Sequence, residues 1–157
     1  MKGFCSVIIG IVAFFAFAGP GLTQVRFSVL SQFNNAAVLD NKTGLVWERS
    51  PSKSTFNWHN AQTHCNNLTV GTRSGWRLPT LEELKSLVDE RQENPPLAPG
   101  HPFSNVQSSL YGSFYWSATT DASNSSLAWG VVFLFSGGVT SGIKSFDNFV
   151  WCARGGQ

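Results

Sequence analysis

Three cysteines stand in this chain of 157 residues, and only two of them, Cys65 and Cys152, lie beyond its apolar N-terminal stretch. Nearly ninety residues separate the pair, so a bond between them would close most of the chain into one loop. In the chain-entropy picture such a closure is worth roughly 4–5 kcal/mol. It persists only in an oxidising compartment, and the N-terminus points there. Lys2 is the only charge before Arg26, and Val7 to Ala18 is almost wholly apolar. Ala16-Phe17-Ala18 supplies a small-x-small cleavage pattern, and Gly19-Pro20-Gly21 breaks any helix behind it. The apolar run is short for a spanning helix, which needs about 20 residues. Residues 1–18 are therefore expected to be a secretory signal cleaved after Ala18; the other reading is an uncleaved anchor. Cys5 leaves with the signal, and an even pair left in an exported chain predicts a Cys65–Cys152 disulfide. A catalytic thiol is the alternative. A structural zinc site is not, because two isolated cysteines cannot fill one.

Composition narrows the class further. Charged residues are only 13% and net charge is +2, which excludes a disordered polyelectrolyte and a dedicated nucleic-acid binder. Six tryptophans supply a sizeable core. Glycine never recurs at every third residue, so a collagen helix is excluded. No later segment is long and apolar enough to span a membrane. The expected organisation is a signal at 1–18, a lead-in segment at 19–34 and one domain at 35–157, secreted or periplasmic.

Within that domain, Val38-Leu39-Asp40 and Leu45 to Glu48 flank Asn41-Lys42-Thr43-Gly44, a hairpin turn. Asn57 caps a helix over 58–68, on which Trp58, Ala61, Cys65 and Leu68 fall within an arc of about 80°. Thr80-Leu81-Glu82-Glu83 has capping-box spacing, and Leu81, Leu84, Leu87 and Val88 extend a second helix as one stripe. Residues 91–114 form a long loop, broken by prolines but apolar enough to pack. Strands are expected at 114–120, 128–135, 139–144 and 149–154, with a polar turn at 121–126. Strands, two helices, a long loop and strands again make an α+β fold.

Several spaced motifs now occur in order: Trp47, Cys65, Gly75-Trp76-Arg77-Leu78-Pro79-Thr80, Pro102-Phe103 with Asn105, Tyr115-Trp116-Ser117-Ala118-Thr119-Thr120, and Val150-Trp151-Cys152-Ala153-Arg154-Gly155-Gly156. Over roughly residues 35–156 this resembles the C-terminal domain of bacterial collagen-like adhesins, a domain of unknown function. The resemblance implies a C-type-lectin-like fold, shared with formylglycine-generating enzymes, with two helices flanking antiparallel strands. It also implies an exported bacterial domain, one of whose relatives binds sulfated glycosaminoglycans and mediates adhesion. This chain lacks the collagen repeat that would supply a trimerising stalk.

A catalytic set is not legible. His59 and His64 lie about 140° apart around their helix and cannot share a metal. Glu82 and Glu83 are explained by capping and the helix dipole. The reactive cysteine pair of the formylglycine-generating relatives is not carried over, and the Glu-Pro-Asn and Trp-Asn-Asp signatures of calcium lectins are missing. No enzyme activity, cofactor or metal is expected. The tryptophans read as core. Arg73, Arg77, Lys144 and Arg154 form a candidate sulfate-binding set, since guanidinium matches oxyanions bidentately. Arg77 and Arg154 are expected to pair instead with acidic neighbours, leaving Arg73 and Lys144. With the polar turns, the candidate binding residues are Arg73, Asp121, Asn124, Lys144, Phe146 and Asn148. The expected partner is a glycan, sulfated forms among them, or a protein ligand, met in adhesion. An enzyme or its accessory subunit, and a self-assembling envelope protein, are the competing readings.

Overall fold

A computed structural model describes residues 25–108 and 113–155. The expected signal, its cleavage point, Leu110 and Tyr111 lie outside these residues. The described chain is α+β: two antiparallel sheets, two helices and one disulfide. The first sheet has the order β1 (Phe27–Val29), β2 (Ala37–Asp40), β3 (Val46–Glu48), β7 (Ala153–Arg154). The second has β4 (Tyr115–Thr120), β5 (Leu127–Val132), β6 (Gly138–Ile143). Cys65 and Cys152 are bonded, with Cα atoms 5.5 Å apart. The thiol alternative therefore falls.

The local chemistry explains most element boundaries. In the β2–β3 turn, Asp40 Oδ1 accepts from Lys42 N–H at 2.9 Å and Gly44 takes φ 74°, a left-handed conformation that glycine adopts without penalty. Helix α1 (Trp58–Asn67) starts where Asn57 accepts from Asn60 N–H. Helix α2 (Leu81–Lys85) starts at the Thr80–Glu83 capping box. It is shorter than its apolar stripe suggests. Past Lys85 the chain turns, so Leu87 reaches the core from a turn rather than from a helix. The expected strand at 149–154 is likewise reduced to Ala153–Arg154. The residues before it bond elsewhere: Phe149 N–H to Phe114 O, and Cys152 N–H to the Glu48 carboxyl. Part of the lead-in is built into the first sheet, because Phe27–Val29 pairs with β2.

Two apolar clusters make the core. One gathers Trp47, Leu84, Leu87, Phe103, Tyr115, Phe133 and Trp151; the other gathers Trp58, Cys65, Trp76, Phe114, Trp116 and Cys152. Five of the six tryptophans are buried and Trp129 is half-buried, as a core reading requires. The long loop packs: Phe103 meets Phe27 and Trp151 edge-on, each at 5.0 Å between centroids.

Candidate anion-binding face

The six arginines divide into two groups of three. Arg26, Arg77 and Arg91 are ion-paired, with Asp40, Glu83 and Asp89. Arg49, Arg73 and Arg154 have no carboxylate partner among the described residues. All three gather on one short segment, the 3-10 turn Ser31–Phe33 and the two asparagines after it.

That gathering follows from backbone geometry. Asn34 and Asn35 both take positive φ, 53° and 59°, which asparagine tolerates better than most residues. They reverse the chain and set Phe33 into the core, edge-on to Trp76. A second tight turn, Val70 to Arg73, docks on the first. Its central residues Gly71 and Thr72 have φ of 54° and 68°, and Val70 and Arg73 exchange both backbone hydrogen bonds at 3.0 Å. A Cβ on Gly71 would stand 2.4 Å from the Phe33 Cα, so only glycine permits this approach. Arg73 emerges with its guanidinium 5.2 Å from the Phe33 ring centroid, and its Nε donates to Gln32 O at 3.4 Å. Arg154, from β7, lies 5.9 Å from the same centroid, and its Nε donates to Ser74 O at 2.9 Å. Arg49 follows β3; its Nε donates to Pro102 O and its Nη1 to Asn35 O. Backbone carbonyls and one ring therefore position the guanidinium groups, and no carboxylate among the described residues is ion-paired with them.

A cavity of about 420 Å³ opens beside Arg49, the one of the three arginines in its lining, with Asn35, Val70, Gly71 and Glu48 among its walls. Burial pushes the Glu48 carboxyl up to about 7, although it accepts from Cys152 N–H at 2.8 Å. Below that pH it is protonated and sets no negative charge beside Arg49. Two of the larger clefts are chemically different. One of about 650 Å³ has Arg26, Lys42, Lys85 and Arg91 on its rim together with Asp89 and Glu90, and three of those cations are already ion-paired. The other, about 640 Å³, is lined by Asn57, Asn60, Ser125, Ser126 and Lys144 beside α1.

The candidates from the sequence are split between these places. Arg73 is on the arginine face. Arg77 makes the expected ion pair, bidentate to Glu83 at 2.7 and 2.8 Å. Arg154 does not, because its Nε is taken by a backbone carbonyl and no acid among the described residues reaches it. It joins Arg73 instead. Lys144 lies beside α1, 4.1 Å above the Trp58 ring, and its Nζ donates to Thr120 Oγ1 and Ser125 O. Asp121 and Asn124 shape the turn before β5, each accepting from the N–H and hydroxyl of a serine two residues on. Serine donors also hold the Asp121 carboxyl below its usual range. Asn148 is buried, and its Oδ1 accepts from Phe114 N–H. Phe146 is exposed. Arg49 was not among the candidates. Its role depends on carbonyls 14 and 53 positions away, and no local motif announces it.

The histidines are dispersed. His59 is exposed, His64 stacks on Phe56 and His101 on Phe103. Among the described residues no three His, Cys, Asp or Glu side chains converge in a way that could hold a metal. No helix there is long and apolar enough to cross a membrane. No curated protein matches the sequence. The model of the Lcl C-terminal domain matches residues 36–154, the span that holds both sheets except β1, the disulfide and all three unpaired arginines, and the chain belongs to that family.

Proposed function

We propose that this chain is an exported bacterial binding module of adhesion type, on a lectin-like scaffold, which takes anionic glycans on the face of Arg49, Arg73 and Arg154. Membership of the Lcl C-terminal domain family suggests a surface-associated, adhesin-like module, and the disulfide fits an extracellular or periplasmic place. The observation that carries the ligand class is the grouping of three guanidinium groups without a carboxylate among them. Each is held at Nε by a backbone carbonyl, which leaves terminal N–H groups for a ligand. A sulfate or carboxylate group accepts two such N–H bonds in parallel, and a preset fork loses little entropy in making them. Phe33 lies under two of the cations but is buried, so the face recognises charge rather than stacking a sugar ring.

The test is an array of sulfated, desulfated and neutral glycans, read at low and raised salt with Arg73→Ala and Arg154→Ala beside the parent. Binding to sulfated chains is expected to weaken with salt, because exposed contacts are screened. Each substitution is expected to weaken it about tenfold or more. Lys42→Ala, on the other cleft, is expected to change little. Equal binding by the arginine variants and the parent, or no binding to any sulfated chain, would overturn the assignment.

A further inference from the structure

Strand β6 is one of the two outer strands of the second sheet, and its register with β5 is unbroken from Gly138 to Ile143. In an antiparallel ladder, successive residues turn their backbone groups alternately toward the partner strand and away from it. Lys144 N–H bonds Ser126 O at 2.9 Å. By that alternation Gly142, Thr140 and Gly138 also face β5, while Val139, Ser141 and Ile143 turn their N–H and C=O groups outward, the Ile143 C=O accepting from Phe146 N–H at 2.9 Å in the turn that follows. Proteins normally blunt such an edge with a charge, a proline or a bulge. This strand has none of the three, and residues 122–143 carry no charge. Six large apolar residues are exposed among those described, and four of them, Phe135, Val139, Ile143 and Phe146, lie on β6 and its flanking turns.

We propose that β6 pairs antiparallel with β6 of a second copy of this chain, about a two-fold axis at Ser141. The strand is self-complementary in that register. Ser141 lies opposite Ser141 of the second copy, and Val139 opposite its Ile143. Each outward N–H then meets an outward C=O, and the Ile143 C=O, which already accepts from Phe146 N–H, takes the Val139 N–H of the other copy on its second lone pair. The end carrying Phe135 meets the end of the second strand that carries Phe146. A two-fold axis brings like residues together, so any charge near it would repel its own copy; the stretch has none to repel. The exposed parts of the four apolar side chains, 58, 44, 45 and 63% of their surfaces, amount to on the order of 400 Å² per copy. That is about half of the ~800 Å² per partner that a stable interface buries. The strand backbone supplies more, as do Leu127 and Trp129, which share the face of Ile143 and Ser141. The pairing is independent of what the arginine face binds. It would carry two such faces on one particle, where simultaneous engagement multiplies affinity without new contacts.

The experiment is sedimentation of the full exported chain, purified oxidised, from about 1 to 500 µM, a range that spans ordinary dimer affinities. A concentration-dependent dimer is expected, and Ser141→Lys is expected to shift its dissociation constant at least tenfold upward by placing two ammonium groups on the axis. Mixing Ser141→Lys with Ser141→Glu chains is expected to restore dimers as mixed pairs. Ile143→Lys serves as the second variant, and near-ultraviolet circular dichroism reports whether each variant is folded. A parent chain that stays monomeric throughout the range overturns the proposal, and so does a folded Ser141→Lys chain that dimerises like the parent.

Discussion

Arg73 and Lys144 are both cations carried near tight turns, and both lie against an aromatic ring, yet the fold has treated them differently. The ammonium of Lys144 sits 4.1 Å from the Trp58 centroid and also donates to Thr120 Oγ1 and Ser125 O. Its neighbours Asp121 and Asn124 spend their side-chain oxygens on the serines of their own turn. That end of the molecule is polar but internally satisfied. Around the 3-10 turn, Arg49, Arg73 and Arg154 are fixed at Nε and retain free terminal N–H groups. A basic residue therefore counts toward binding by what its donors are left to do, and its presence alone says little. The same contrast holds among the arginines, where Arg77 is consumed by Glu83 and by the Leu78 and Gly155 carbonyls.

The largest expected effect concerns Glu48, whose carboxyl lines the cavity beside Arg49. Burial raises Glu48 from an ordinary 4.5 to about 7. Because its folded value lies above the unfolded one, the unfolded chain releases this proton first as pH rises. Glu48 therefore contributes most to stability below about pH 4.5, and that contribution is lost as pH climbs through 7. The full change is about 3 kcal/mol. Urea denaturation from pH 4 to 8 is expected to show this decline, and Glu48→Gln, which still accepts from Cys152 N–H, is expected to flatten it. A variant whose stability declines as the parent's does would assign the pH dependence to other groups. Next in size is the pair Arg77→Ala and Arg73→Ala. Losing the half-buried bidentate arginine is expected to cost about 2 kcal/mol. Losing the unpaired, exposed one is expected to cost under about 1 kcal/mol, although it is the one expected to weaken glycan binding. Denaturation midpoints of the two variants at one pH check the order.

How far the sequence was readable follows the same line between local and distant chemistry. Asn57 as a helix cap, the Thr80–Glu83 box, the Asn41–Gly44 hairpin and the Cys65–Cys152 bond rest on neighbours in sequence or on simple counting. All four are present in the structure. Strand β1 was not legible, because three residues without a turn signal pair only once β2 exists to receive them. The expected strand is absent at 149–152 because a continuous apolar run is buried there by side-chain and single-bridge contacts instead of a ladder. For the candidate site, Arg73 could be singled out as a cation without an obvious acidic neighbour. The company of Arg49 and Arg154 depends on carbonyls of Asn35, Pro102 and Ser74, which nothing local in sequence connects.

The smallest effect is the one that tests the contrast most directly. Lys144→Ala removes a cation–ring contact and two hydrogen bonds, all at least partly solvent-screened. It is expected to cost about 1 kcal/mol of stability and to leave binding to sulfated glycans unchanged, because its donors are already used within the chain. Trp58 keeps its own anchor, an N–H bond to Ser117 O at 2.8 Å, so the helix start survives the change. If Lys144→Ala weakened glycan binding as Arg73→Ala is expected to, internal satisfaction would not be what separates the two ends. The site would then have to extend around the α1 terminus. Denaturation and glycan binding, measured on the same folded variant, separate these outcomes.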